Sequence, residues 1–414
     1  MLAAASLLGD SIPPTTCILA CIPADGELQP LVTYRQAGDT CILLEYGPME
    51  LDLGLRARVY GLVAAIHDSN IDGIIELSAG VRSLHIHYDF NVILPSALII
   101  KLQEIERRLP PVRSLQVPSR LIRLPMAFED SGTLEAVDRY RSTIRSSAPW
   151  LPNNVDFIQR INGLSSREEV RAAIFQASYL VLGLGDVYLG APCAVPLDPR
   201  HRLLTSKYNP ARTFTAEGTV GIGGVYMCIY GMDSPGGYQL VGRTLPIWDR
   251  NSSAEEPWLL KPFDQVSFYQ VTELELLQLR RQKERGQALS MVATTFSFSS
   301  YETFLKDNDE YIKAFQESQS NAYAKEIQLW ENDEVPGATV QGPANVDNGE
   351  GDAVIANSFG RVWKVLVKVG DEVSLGQEVV LLEAMKMETK VFATATGIIS
   401  SVLCAVGDVS HISC

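Results

Sequence analysis

The chain has 414 residues, 46% of them hydrophobic and 20% charged, with a formal net charge of −14. That composition excludes wholesale disorder, and the length suits about two to three domains. The acidic balance opposes a general nucleic-acid role, because duplex affinity rests on cations meeting phosphates. No apolar run reaches the ~18 residues of a membrane span; the nearest, Leu180 to Leu189, is broken by Asp186.

Residues 1–30 carry Pro13, Pro14, Pro23 and Pro30 without a sustained period and read as an irregular lead-in. An α+β unit is expected over 31–150. Thr40 to Tyr46 is strand-like, and Asp52 can cap a helix whose Leu55, Val59, Leu62, Val63 and Ile66 share one face. Ile71 to Leu77 and Ser83 to Tyr88 are further strands. Ser96 opens a second helix, with Leu98, Leu102, Ile105 and Leu109 inward, and Pro110 and Pro111 stop it.

The next unit, 151–330, starts with helical text in which Ser166 and Glu169 form a capping box. From Tyr179 to Tyr269 it switches to short strands and turns, the spacing of an all-β barrel or sandwich. Thr272 and Glu275 form a second capping box for a helix ending at Gly286, and a long polar helix covers Tyr311 to Trp330. Residues 331–352 are rich in Gly, Asn, Asp and Pro with almost no large apolar residue, and read as a flexible linker. Residues 353–414 form a last β-module.

The seven cysteines are scattered with no C-x-x-C pair, as suits reduced thiols in a cytoplasmic protein. Cys17 and Cys21 lack a second pair for zinc, and His85 and His87 share a strand face without a third ligand, so no metal is expected. Residues 1–12 lack a basic start and a long apolar stretch, so no signal peptide is expected.

The last module carries the most specific signal. Gly360 to Asp371 repeats as Gly397 to Asp408 with matching Val365/Val402, Leu366/Leu403 and Val369/Val406. Such duplication implies two half-sheets that must pack together, since neither holds its own core. Between them, Glu383-Ala-Met385-Lys386-Met387-Glu388 puts a lysine at a hairpin tip between two methionines. The second half ends Gly407-Asp408-Val409-Ser410-His411-Ile412-Ser413-Cys414 where the first runs on, so its closing strand is expected to be short.

In the middle unit, Arg200, His201, Arg202, Lys207 and Arg212 place five cations in thirteen residues of an acidic chain. Guanidinium forks match planar carboxylates, which makes this a candidate anion site. Ser234-Pro235-Gly236-Gly237 would let backbone amides approach a ligand closely. Gly183-Leu-Gly185 and Gly221-Ile-Gly223-Gly224 lack phosphate-loop spacing and read as turns.

Two resemblances join these motifs. Ala384-Met385-Lys386-Met387 resembles the biotinyl carrier domain, a flattened β-barrel. That resemblance implies biotin, amide-linked to Lys386 by a biotin protein ligase and flanked by Met385 and Met387. Tyr34 to Asp39, Leu44 to Gly47, Leu51 to Arg58, Gly190 to Asn209, Ser234 to Gly237 and Gly242 to Thr244 resemble the allophanate hydrolase subunit 1 family over roughly residues 31–330. Its cyclophilin-like β-barrels form one half of the carboxyltransferase of urea carboxylase, including the fungal urea amidolyase. The implied fold is multidomain, α+β followed by two all-β barrels.

The implied reaction moves a carboxyl group from biotin to a urea nitrogen, giving allophanate, in the C–N ligase class. About 22 linker residues would give the carrier a reach of roughly 25 Å. Arg200, His201, Arg212 and Arg243 are the candidate catalytic groups; Ser234, Pro235, Gly236, Gly237 and Tyr238 are the candidate substrate contacts. The resemblance further implies an ATP- and Mg-dependent biotin carboxylase, a subunit 2-type carboxyltransferase half, and allophanate hydrolase downstream. Without the first two, the chain alone should not turn over. A guanidine-like or other small amide acceptor, or a carrier and docking role without catalysis, stays open.

Overall fold

A computed structural model describes residues 17–26, 29–184, 190–248, 257–285, 289–333, 354–356, 360–384, 387–405 and 409–410. Strands β1 (Ile18–Ile22), β2 (Val32–Gln36), β3 (Cys41–Tyr46), β4 (Ile74–Ala79) and β5 (Ser83–Tyr88) form an antiparallel sheet in the order β1-β2-β3-β5-β4. Helices α1 (Leu53–Ser69) and α2 (Pro95–Arg108) contribute to the same core, where Val59, Leu62, Leu98 and Leu102 meet Tyr34, Ile42, Leu44, Leu84 and Ile86. Asp52 starts α1 as its residue type predicts, accepting from the N–H groups of Gly54 at 2.6 Å and Leu55 at 3.2 Å. Helix α2 starts one residue earlier than Ser96, on Pro95, whose missing N–H costs nothing in a first turn. One buried ion pair crosses this core. Arg58 meets Glu106 at 2.6 Å, and the Tyr46 hydroxyl donates to the same carboxylate at 2.6 Å.

Strand β6 (Gln116–Phe128) lies inside the 31–150 span yet belongs to a second sheet. It is followed by helices α3 (Ser131–Thr143), α4 (Asn154–Ile161) and α5 (Arg167–Gln176). Strands β7 (Tyr179–Gly183), β8 (Cys193–Pro196), β9 (Thr219–Gly223), β10 (Tyr226–Ile229), β11 (Gln239–Arg243), β12 (Gln265–Gln270) and β13 (Met291–Ser297) complete the sheet. Its order is β11-β9-β10-β8-β7-β12-β6-β13, with a further β11–β6 pairing. That last pairing, Gly242 with Phe128 and Arg243 with Ala127, closes the sheet on itself. The length of β6 permits this: residues 116–122 pair with β13, and its final two pair with β11.

Leu124, Met126, Val181, Ile222, Val241, Val266 and Phe268 form its core with Val155, Ile158, Val170 and Ile174 from α4 and α5. Ser166 caps α5, but Glu169 reaches back to the N–H of Ser165, so the reciprocal box is displaced by one residue. Helix α6 (Glu273–Glu284) has the full Thr272/Glu275 box; its expected stop, Gly286, lies outside the described residues. Helices α7 (Phe298–Asp307) and α8 (Asp309–Asp333) follow. The stretch read as a linker lies outside the described residues from 334 onward, as does most of the lead-in.

In the last module, β14 (Gly360–Val365), β15 (Glu372–Val373), β16 (Glu378–Ala384), β17 (Met387–Phe392), β18 (Gly397–Ile398) and β19 (Val409–Ser410) form two small sheets, β17-β16-β14-β19 and β15-β18. Val362, Val373, Val379, Leu382, Val391 and Ala393 fill the core between the two repeats.

Candidate functional site

The five clustered cations divide between two environments. Arg200 sits in a single 3-10 turn and forks onto Asp198, with Nη2 to Oδ2 at 2.7 Å. Burial alone would raise the Asp198 carboxyl, but the Arg200 hydrogen bonds hold it below its ordinary value. His201 is half-buried with no partner for Nδ1 among the described residues, and burial lowers its pKa. Arg202 donates to the Pro196 carbonyl at 3.0 Å and the Tyr301 hydroxyl at 3.1 Å.

Arg212 and Lys207 belong to the second environment, with the Ser234–Tyr238 turn. Arg212 is 1% exposed, and no carboxylate contacts it among the described residues. Its main chain pairs with Gly236 in both directions, at 2.9 and 3.0 Å. Its Nη1 donates to the Tyr238 carbonyl at 2.7 Å, and Nη2 reaches Thr215 Oγ1 at 3.3 Å and the Tyr230 hydroxyl at 3.4 Å. The guanidinium lies over Tyr208, 4.3 Å from the ring centroid. Around it, Arg212 Nε and Ser234 Oγ are buried without hydrogen-bond partners among the described residues. A buried polar atom left unpaired costs about 1–3 kcal/mol, so the two mark a built polar box.

Gly236 of the turn serves packing. A Cβ on Gly236 would fall 2.2 Å from the Tyr230 hydroxyl oxygen. Its N–H is spent on the Arg212 carbonyl, and the Ser234 N–H on that of Thr215, so neither amide is free to meet a ligand as the sequence suggested. The Gly237 N–H is uncommitted among the described residues, while its carbonyl accepts from Tyr208 at 2.7 Å. Tyr238 lies against β9, where Gly221 and Gly223 leave room for its ring. Pro235 completes the turn, half-buried.

Arg243 stands in a third setting. Its Nε donates to the Glu217 carbonyl at 2.8 Å, and its charge partly offsets the burial that raises the Asp130 carboxyl. The sequence alone did not single out Tyr140, Trp150, Tyr208, Thr215 and Tyr230, and Gly221 and Gly223, expected in a turn, lie within β9. A cleft of about 710 Å³ lined by Leu121, Arg123, Tyr269, Leu279 and Lys283 contains none of the expected site residues.

In the last module, the β16–β17 register sets Glu383 opposite Glu388 and Ala384 opposite Met387. Met385 and Lys386 lie between these strands and outside the described residues; Met387 opens β17.

Residues 32–260, 229 of the 414, match the family described as carboxyltransferase domain, subdomain C and D. The chain belongs to that carboxyltransferase family. Residues 352–413 also match a family described as biotin-requiring enzyme. The chain is similar to the urea amidolyase of Lachancea kluyveri, 46% identical over 97% of this chain and 23% of that one. It is 45% identical to the urea amidolyase of Saccharomyces cerevisiae, over 95% of this chain and 22% of that one. The crystal structure of Kluyveromyces lactis urea carboxylase superposes with a TM-score of 0.70 at 44% identity, covering 95% of this chain and 35% of that one. This carboxyltransferase chain therefore spans less than a quarter of the two curated relatives.

Proposed function

We propose that the chain is one carboxyltransferase half and the biotin carrier of a urea carboxylase. It passes a carboxyl group from Lys386-linked biotin to a urea nitrogen, giving allophanate. The observation that carries this reading is the coexistence, on one chain, of the carboxyltransferase match and the carrier match with Lys386 between its two repeats. The β16–β17 register pairs Ala384 with Met387, so only Met385 and Lys386 separate the two strands in sequence, which fits a lysine offered for acylation. Biotin supplies, when attached, a ureido nitrogen that can hold and release a carboxyl group.

The chain's own residues would bind and orient. Urea nitrogen is a weak nucleophile, so a donor must polarise its carbonyl as the N–C bond forms. Ser234 Oγ and the Gly237 N–H are the donors we assign to that step. Arg212 is too buried for an initial contact and acts as a positioning residue: its fork and main chain hold both ends of the Gly236–Tyr238 segment. Its charge favours an anion at the box. Arg200, His201 and Arg243 are assigned a part from outside, through the field.

We read the closed sheet as a cyclophilin-like barrel, and we divide the chain near residue 110 rather than 150, because β6 pairs beyond it. The expected partners are a biotin protein ligase, a biotin carboxylase using ATP and Mg, a subunit 2-type half and an allophanate hydrolase, in the cytoplasm. No described helix is long and apolar enough to cross a membrane. Reconstitution of the biotinylated chain with the first three activities and labelled bicarbonate tests the reading. Label should enter urea with the wild-type chain and not with Lys386→Arg. Equal labelling by both, or labelling of guanidine alone, would overturn it.

A further inference from the structure

The segment leading into β9 is held from three sides through one residue, Glu217. Its N–H donates to Asp233 Oδ1 at 2.7 Å, its carbonyl accepts from Arg243 Nε at 2.8 Å, and its Oε2 accepts from Arg280 Nη2 at 3.0 Å. Those partners belong to the turn before Ser234, to β11 and to α6. Arg280 is 8% exposed, and its Nη1 also donates to the Thr244 carbonyl at 2.6 Å. A Cβ on Gly218 would fall 2.6 Å from that same Nη1, so the guanidinium lies directly on the main chain beside Glu217.

The other end of this series of contacts is the candidate substrate turn. The Ser234 N–H donates to the Thr215 carbonyl at 3.0 Å, next to the bond from Glu217 to Asp233. These two bonds lace the 215–217 segment to residues 233 and 234. Thr215 Oγ1 in turn meets Arg212 Nη2 at 3.3 Å.

We propose that Asp233 and Arg280 are positioning residues for carboxyl transfer, fixing Ser234 through Glu217. The proposal rests on the urea carboxylase reading and its assignment of Ser234 as a donor. Transfer demands precise placement, since a shift of about 1 Å in a reacting group can cost ~100-fold. A turn that continues into Gly236 and Gly237 has too much backbone freedom to supply that placement alone. Helix α6 supplies it. The Thr272/Glu275 box fixes its start, and its Leu276 packs against Ala127 and Leu245.

The test measures labelled bicarbonate entering urea with the reconstituted, biotinylated chain. Asp233 is exposed, so its substitution leaves the core intact. Asp233→Ala should lower kcat several-fold while KM for urea stays nearly constant. Asp233→Asn keeps an acceptor oxygen and should restore kcat. Amide exchange over 214–219 should quicken in the alanine variant and not in the asparagine one. Arg280→Ala should also lower kcat, and the double variant should be no slower than the slower single one, because both act through one contact. The Asp233 pair decides even where Arg280→Ala does not fold. Wild-type kcat in Asp233→Ala would overturn the proposal alone, as would Asp233→Asn failing like alanine, because charge rather than the hydrogen bond would then act. A wild-type chain that never labels urea would overturn the urea carboxylase reading, and the proposal with it.

Discussion

Arg212 lies over Tyr208, 4.3 Å from its ring centroid, and the two main chains grip adjacent residues of one turn, Arg212 at Gly236 and Tyr208 at Gly237. A buried cation without a carboxylate is expensive unless its hydrogen bonds are satisfied. Here three of them go to the Tyr238 carbonyl, Thr215 and Tyr230. The guanidinium and these main-chain bonds hold the turn together.

Arg212→Lys keeps the charge but loses the planar fork. One well-placed donor at a transition state is worth about 2–4 kcal/mol, and displacing the Ser234 and Gly237 donors that Arg212 holds should slow transfer at least tenfold. A positioning role predicts that kcat falls more than KM for urea rises. Streptavidin signal at Lys386 should stay unchanged. A transfer rate within twofold of wild type would remove Arg212 from the account.

Gly236→Ala should destabilise the barrel, because the new methyl would meet the Tyr230 hydroxyl. Overpacking of this kind costs about 1–3 kcal/mol. Pairing it with Tyr230→Phe should recover little, since the ring carbons Cε1 at 2.5 Å and Cζ at 2.6 Å would still clash. Urea denaturation of both variants checks this, and full recovery in the double variant would contradict it.

Much of this architecture is legible in residue types. Asp52 caps α1 because its carboxylate reaches the N–H groups of Gly54 and Leu55, and Thr272 with Glu275 closes the box of α6. These are local events, decided within one helical turn. The convergence of the cations was not legible, because proximity in sequence does not fix proximity to one ligand. Arg200 finds Asp198 two residues away, whereas Arg212 is buried among rings from α3, the 144–153 segment, Tyr208 and Tyr230 just after β10. Those rings come from separate stretches of the chain, so no local pattern marks them.

His201 gives a pH dependence of stability. Burial lowers its folded pKa below the ordinary 6.5, with Asp198 opposing and Arg200 assisting. The unfolded chain then binds the proton more readily, so stability is full above about pH 6.5 and falls as pH drops below it. His201→Gln should flatten the fall in melting temperature between about pH 7 and 5. An unchanged slope would mean that the histidine titrates alike in both states.

Lys386→Arg should abolish the streptavidin signal of the full chain expressed with a biotin ligase, because a guanidinium is not acylated there. The five cations of the 200–212 stretch should play no part, so Arg200→Ala should blot as strongly as wild type. Signal persisting in Lys386→Arg would place the modification on another lysine.

The central claim is tested most directly by a chase. The biotinylated full chain is loaded with labelled bicarbonate by a biotin carboxylase, freed of ATP, and mixed with urea and the complementary carboxyltransferase half. The account predicts that label leaves the chain faster with urea than without it, and appears in allophanate in a single turnover. Label lost as carbon dioxide at one rate, with or without urea, would contradict it.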